Sequence, residues 1–194
     1  SMMKFIFLLI TVLSLVGCAS TTIKSSTLED ISLPLNYNAG GKSVYLIYKG
    51  VRRYHNNVDN YDSQLQMRRL KEIEELLKSK GFVINNNKSS DLILKINEER
   101  DTTDASGKPT LGNISMFLVS SLSLSIVPFK LESVYNFNYE VTKSNGELVG
   151  KINNKIEVKE LKTLMSSDTE EDYKKARLTA HEQALAELID QGVL

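Results

Sequence analysis

The fold is decided by a β-α-β unit whose first strand reads VYLIY (residues 44–48) and whose helix and second strand read DSQLQMRRLKEIEELLKSKGFVI (residues 62–84). The first stretch is β-branched and aromatic, which is typical of a buried strand. Asp62 or Ser63 caps a helix that ends before Gly81. The apolar residues that follow at once predict a second strand, which completes the unit.

Three further strands and one helix extend this unit. Residues 92–97 predict a third strand, and residues 131–142 and 148–158 predict a hairpin around Asn145-Gly146. A capping box at residues 167–170 opens a last helix that runs to about Asp190. The inward faces of the hairpin strands are expected to carry Leu131, Tyr135, Phe137, Tyr139 and Val141 on the first and Leu148, Ile152, Ile156 and Val158 on the second.

The order β-α-β-β, an uncharged segment, then β-β-α predicts an α+β fold. We expect a two-layer sandwich in which two helices cover one face of a mixed or antiparallel sheet. The predicted domain spans residues 43–194. Residues 18–42 are rich in Ser, Thr and Asn and are interpreted as a flexible tether, part of which is ordered if Leu28, Ile31, Leu33 and Leu35 dock on the domain.

A signal peptide is predicted at the amino terminus. Lys4 supplies a positive charge, and residues 5–16 (FIFLLITVLSLV) form an uncharged apolar run. About 20 apolar residues are needed to span a bilayer, so this run is short for a permanent anchor. Small residues follow it, as at signal-peptide cleavage sites. Residues 1–17 are therefore predicted to be removed.

The sequence Leu15-Val16-Gly17-Cys18 resembles the lipobox of bacterial lipoproteins. The resemblance implies that Cys18 receives a diacylglycerol, that the chain is cut before it, and that the lipoprotein processing and sorting machinery are partners. Two or three acyl chains would hold the protein on a membrane almost permanently. Ala19 follows instead of Asp, which by the same resemblance favours the outer membrane, at its periplasmic face, over the inner membrane. The alternative is an ordinary signal peptide with an incidental cysteine.

Composition excludes several classes of protein. The 24 basic and 24 acidic residues give zero net charge, which argues against a nucleic-acid partner bound by phosphate neutralisation. A hydrophobic fraction of 41% suffices for one core. The single cysteine cannot form an internal disulfide.

Motifs for catalysis and metal binding are missing from the sequence. The two histidines, His55 and His181, belong to no HExxH pattern, and there is no cysteine pair, so no metal site is expected. There is no G-x-S-x-G elbow. We interpret His181 as a solvated or half-buried residue of the last helix. We expect no enzymatic activity and no cofactor beyond the covalent lipid on Cys18.

Residues 114–129 (ISMFLVSSLSLSIVPF) form an uncharged stretch with five serines. One interpretation is a long strand or helix buried in the core. The other is an apolar loop or short helix that touches the membrane or a partner, since the stretch is too short and serine-rich to span a bilayer. The candidate contact residues are Ile114, Met116, Phe117, Leu118, Val119, Leu122, Leu124, Ile126 and Phe129.

A basic cluster surrounds the polar connection 49–61 that follows the first strand. It contains Arg52, Arg53, Arg68 and Arg69. One interpretation is a solvated face with helix ion pairs. The other is a contact for anionic lipid head groups, glycan phosphates or an acidic protein patch.

These observations favour a lipid-anchored periplasmic envelope lipoprotein without enzymatic activity. The first hypothesis is an adaptor that docks a partner protein at the outer membrane. The second is a lipid or glycolipid binder that uses residues 114–129. The third is a hydrolase with an unrecognised site.

Overall fold

The computed structural model describes residues 20–25, 28, 32–34, 36–54, 57–101, 129–162 and 170–194. These residues form seven strands and two helices. The strands are β1 (Ser20–Ser25), β2 (Ser43–Tyr54), β3 (Asn57–Asn60), β4 (Val83–Ile84), β5 (Leu92–Asp101), β6 (Phe129–Lys143) and β7 (Leu148–Lys162), and the helices are α1 (Ser63–Ser79) and α2 (Glu170–Asp190).

The strands form one mixed sheet in the order β1-β7-β6-β5-β2-β3. Strand β5 runs parallel to β2, whereas the β1–β7, β7–β6, β6–β5 and β2–β3 pairs are antiparallel. The short strand β4 pairs in parallel with the beginning of β2, on the edge that β3 occupies further along. The predicted α+β fold is confirmed.

Both helices pack on the same face of the sheet. Alternate residues of the central strands point to this helix-covered face, as period-two alternation requires. Its buried residues include Leu46, Tyr48, Leu94, Ile96, Tyr135, Phe137, Tyr139, Ile156 and Val158. The two-layer arrangement therefore follows the prediction, and the other face of the sheet, called the open face below, carries no described helix or strand.

Helix α1 begins and ends as the sequence predicts. The Asp62 carboxylate accepts a hydrogen bond of 2.8 Å from the backbone N–H of Leu65, which satisfies one of the free donors at the helix start. Gly81 adopts a φ of +83°, a conformation that favours glycine after a helix. Ile73 and Leu77 are buried against the sheet.

The polar connection predicted over residues 49–61 is instead largely extended. Strand β2 continues to Tyr54 and forms a hairpin with β3, in which Arg52 faces Asp59. Polar side chains are compatible with such pairing because the ladder uses only backbone groups. Tyr61 then packs closely on Gly50, where an added Cβ would collide with the ring.

The tether expected over residues 18–42 contains regular structure. Ser20–Ser25 forms strand β1, which pairs with β7 at the edge of the sheet. Its polar sequence hides the strand from a hydropathy pattern, because an edge strand is held by backbone hydrogen bonds. Leu28, Leu33 and Tyr37 are partly buried against the core. Residues of this region therefore belong to the domain.

Leu148 was expected on the apolar face of the return strand, and this prediction is wrong. The register between β6 and β7 is irregular between Val141 and Thr142, so Val141 faces Gly150 and Thr142 faces Leu148. A bulge of this kind interrupts the alternation of side chains. Leu148 is consequently 56% exposed, whereas Ile152, beyond the irregularity, is buried as predicted.

Candidate functional site

A groove lies on the open face across the central strands. The register places Asn97, Asn138 and Asn153 side by side on β5, β6 and β7. The next row along the strands holds Glu99, Asn136 and Lys155 in the same order. With Lys49 and Val51 of β2, these residues line a cavity of about 590 Å³.

Asparagine side chains contribute amide groups to the groove, beside the charged and apolar residues that also line it. The Asn138 side chain donates a hydrogen bond of 2.6 Å to the side-chain oxygen of Asn153. Amides both donate and accept hydrogen bonds, so this surface can serve polar ligand groups of either kind. The row on the other side of the three asparagines is charged. The Glu140 carboxylate lies 3.4 Å from the Lys95 ammonium group and 3.1 Å from that of Lys151. The hydrogen bond from Lys151 is the main cause that lowers the pKa of Glu140.

A second polar cluster is buried between the helices and the sheet. Arg177 of α2 binds both carboxylate oxygens of Glu72 on α1, at 3.1 and 2.9 Å. Arg177 also lies 3.0 Å from Glu170, and Arg69 lies 3.3 Å from Glu72 and 3.2 Å from Glu170. Burial opposes ionisation of Glu170, but the two guanidiniums hold its pKa below the ordinary value. The cluster ties the two helices together.

Glu98 is the buried carboxyl of this region and is 1% exposed. The Tyr61 hydroxyl donates a hydrogen bond of 2.6 Å to one of its oxygens. The other oxygen lies 4.0 Å from the Nε of Arg69 and has no hydrogen-bond partner. Burial raises the pKa of Glu98 to about 8, against the opposing effect of Arg177 and Arg100. The group is therefore protonated in the folded protein at neutral pH.

His181 was expected to be solvated or half-buried, and this prediction is wrong. The residue is 2% exposed, and its ring contacts the edges of Phe137 and Tyr139. Its Nδ1 lies 2.7 Å from the Tyr139 hydroxyl. Burial lowers the pKa of His181 to about 3, helped by Arg177 and Arg69, so the imidazole is neutral. A polar residue fits in the core because it has a partner there.

The four arginines of the predicted anion cluster lie at separate places in the structure. Arg69 is 3% exposed and joins the buried cluster, so it cannot contact an external anion. Its side chain is buried because Glu72 and Glu170 satisfy its charge. Arg53 pairs with Glu99 at 2.8 Å, and Arg68 is exposed on α1.

Arg52 instead lies next to an arginine that the sequence analysis missed. Register pairs Arg52 of β2 with Arg100 of β5. Together with Tyr54 and Asp59 they line an open pocket of about 550 Å³. The sequence does contain a pattern that places Arg100 on this face. Leu92, Leu94 and Ile96 alternate along β5, and Glu98 and Arg100 continue the alternation, so they share the helix-covered face.

The remaining predicted site residues lie outside the described part of the chain. They are Cys18, His55, Ile114, Met116, Phe117, Leu118, Val119, Leu122, Leu124 and Ile126. Phe129 is the first residue of β6. Among the described residues, no three His, Cys, Asp or Glu side chains are grouped so as to hold a metal ion. Neither described helix combines the length and apolarity needed to cross a bilayer.

Comparisons with known proteins place this chain beside several solved structures. No protein family matches the sequence, and no curated protein matches it. A PelC dodecamer from Paraburkholderia phytofirmans is 10% identical, with 86% of this chain and 96% of that chain covered and a TM-score of 0.37. A minor lipoprotein from Acinetobacter baumannii is 10% identical, with 82% and 92% covered and a TM-score of 0.37. A DUF4136 family protein from Bacteroides thetaiotaomicron is 15% identical, with 88% and 94% covered and a TM-score of 0.35.

Proposed function

We propose that this protein is a lipid-anchored envelope lipoprotein whose domain docks a partner protein without catalysing a reaction. The observation that carries the proposal is the amide-lined groove on the open face, formed by Asn97, Asn136, Asn138 and Asn153. The strands that carry these side chains are fixed by pairing and by packing against two helices, and a rigid scaffold suits a binding surface. The mixed donors and acceptors suit a hydrophilic partner surface.

The anchor is proposed at Cys18 because it ends the lipobox-like sequence. Only Ala19 separates it from strand β1, which begins at Ser20. An extended residue spans at most about 3.6 Å, so the lipid would hang within about 7 Å of the end of the sheet. The domain would then be held close to the outer membrane. The orientation of the sheet would set the direction in which the open face points.

A non-catalytic role is supported by where the titratable groups lie. Glu98 and His181 have strongly shifted pKa values, which often marks an active site. Both are almost completely buried, at 1% and 2% exposure, and the shifts come from that burial. They face the helix-covered side of the sheet, whereas the groove lies on the open face.

Site-specific crosslinking in living cells tests the docking proposal. A photoreactive amino acid is placed at Asn136 or Asn153, which are exposed in the groove, and as a control at Met67, which is exposed on α1. The proposal predicts one adduct of the same mass from both groove positions and none from Met67. Adducts from Met67 alone, or none from the groove, would contradict it.

A second candidate function is lipid or glycolipid binding through residues 114–129. The observation that favours it concerns position in the sheet. Phe129, where the stretch ends, pairs with Lys162, while Ser20 pairs with the adjacent Leu161. The chain therefore enters β6 at the end of the sheet from which the segment leading to Cys18 departs. Deleting 114–128 should then weaken retention on lipid while leaving the groove crosslinks intact.

A further inference from the structure

Arg52 and Arg100 are neighbours on two parallel strands. Their register places them side by side on the helix-covered side of the sheet, beyond the end of the apolar rows. Two like charges in such positions repel each other. Within the described residues, neither side chain forms an ion pair, whereas Arg53, Arg69 and Arg177 all do. Among the described residues, the two guanidiniums therefore have no carboxylate within ion-pair distance.

Arg100 is held in place by aromatic rings. Its guanidinium carbon lies 5.3 Å from the centre of the Tyr135 ring and 5.0 Å from that of Tyr173. Contacts at this distance stabilise a cation. The Nε atom of Arg100 is buried and has no hydrogen-bond partner. A buried donor without a partner costs free energy, and it leaves part of the hydrogen-bonding capacity of this arginine unused.

Both arginines border the same open pocket of about 550 Å³, together with Tyr54 and Asp59. Asp59 faces Arg52 across the β2–β3 hairpin but forms no ion pair with it. The pocket thus has two cationic walls and one acidic residue at its margin. Paired guanidiniums present planar arrays of donors that match the oxygens of a phosphate group.

We propose that Arg52 and Arg100 form a binding site for a phosphate group. The group belongs either to a soluble phosphorylated compound or to a phospholipid head group. A membrane-anchored domain could reach the second source. Arg52, Arg100 and Ser25 lie in one row across the sheet, and Ser25 belongs to the edge strand that begins at Ser20, next to the proposed anchor. The site is independent of the groove on the open face.

A nuclear magnetic resonance titration tests the site with inorganic phosphate as the probe. The protein is the chain from residue 18 onward with Cys18→Ser, which contains every described residue. The amide signals of Arg52, Tyr54 and Arg100 should shift with phosphate and not with chloride at equal ionic strength. Arg52→Gln and Arg100→Gln should each weaken binding about tenfold or more, since a charge-assisted contact is lost. Arg68→Gln, which removes an exposed arginine on α1 that does not line the pocket, should leave phosphate binding unchanged.

Vesicles distinguish the two sources of phosphate. If the ligand is a head group, phosphatidylglycerol vesicles should bind the protein, inorganic phosphate should compete, and both arginine variants should lose binding while Arg68→Gln keeps it. Phosphate binding without vesicle binding assigns the site to a soluble compound. No shift with phosphate, or equal losses in all three variants, overturns the proposal. Arg52→Gln alters an exposed residue, so it remains informative even if Arg100→Gln fails to fold.

Discussion

Arg177 on α2 donates hydrogen bonds to both carboxylate oxygens of Glu72 on α1, at 3.1 and 2.9 Å. The Arg177 side chain is completely buried and that of Glu72 is 12% exposed. This contact joins two residues that are 105 positions apart in the chain. It links α2 to α1 on the helix-covered side of the sheet.

Arg177→Ala should therefore lower the free energy of unfolding by about 3–5 kcal/mol, because the largely buried Glu72 carboxylate loses this partner. Urea denaturation followed by circular dichroism measures the change. The matched control is Lys143→Ala, which removes an exposed pair with Glu147. Such pairs contribute about 0–1 kcal/mol. A loss below that control value for Arg177→Ala would show that the cluster does not hold the helices together.

Glu98 makes stability fall as the pH rises. Its pKa is about 8 in the folded protein against 4.5 in the unfolded chain, so between these values the folded state binds more protons. The free energy of unfolding then decreases by up to about 1.4 kcal/mol per pH unit. Glu98→Gln keeps the acceptor for Tyr61 and removes the titration. We expect the variant to gain stability relative to the parent between pH 5 and about pH 8; parallel profiles would contradict this.

His181 makes stability fall as the pH decreases, which is the opposite of the effect of Glu98. Its pKa is about 3 when folded and 6.5 when unfolded, so the unfolded chain binds the extra proton between these values. Stability is complete above 6.5 and is lost as the pH falls toward 3. His181→Asn should flatten this part of the profile, whatever its effect on stability at neutral pH. Denaturation at a series of pH values measures both slopes, and an unchanged acid limb would rule out the neutral imidazole.

The titrations of Glu98 and His181 together predict a range of pH in which the free energy of unfolding is nearly constant. Between 4.5 and 6.5, the rise with pH due to His181 and the fall due to Glu98 oppose each other. The double variant should therefore lose the fall in stability above pH 6.5, while the middle of the profile changes little in slope. Its acid limb should become shallower but should not vanish, because the pKa values of Glu140 and Glu170 are also held below their ordinary values. Retention of the alkaline limb in the double variant would point to another titrating group.

Cell fractionation tests the anchor. Cys18→Ser removes the thiol that would form the thioether, so the variant should move from the membrane fraction to the soluble periplasmic fraction. The matched control is Ser20→Ala, which leaves the cysteine in place and should remain with the membrane. Retention of Cys18→Ser on membranes would show that something other than acylation holds the protein.

Apolar periodicity predicted most of the fold. Helix α1, the hairpin at Asn145-Gly146 and the inward face of β6 were recognisable because each combines alternation with a cap or turn residue. Strands β1 and β3 were not, since both are polar edge strands held by backbone pairing. The partner of β1 is distant in the sequence, whereas β3 forms a hairpin with the strand just before it, and neither strand has an apolar alternation that would reveal it.

The candidate site was less accessible to sequence reasoning. Arg177 and His181 lie on the last helix and were hidden because polar residues are normally assigned to the solvent side. Their burial depends on Glu72 and Tyr139, which only the folded chain brings near. The amide groove likewise depends on register, because Asn97, Asn138 and Asn153 come from three separate strands.

We have proposed that an acylated Cys18 holds this domain on the outer membrane. Mass spectrometry of the protein purified from the envelope can detect this lipid. We expect a chain whose first residue is Cys18 and whose amino-terminal peptide carries the added mass of a diacylglycerol, with or without a further acyl chain. A free Cys18 thiol, or a chain that still carries residues 1–17, would contradict it.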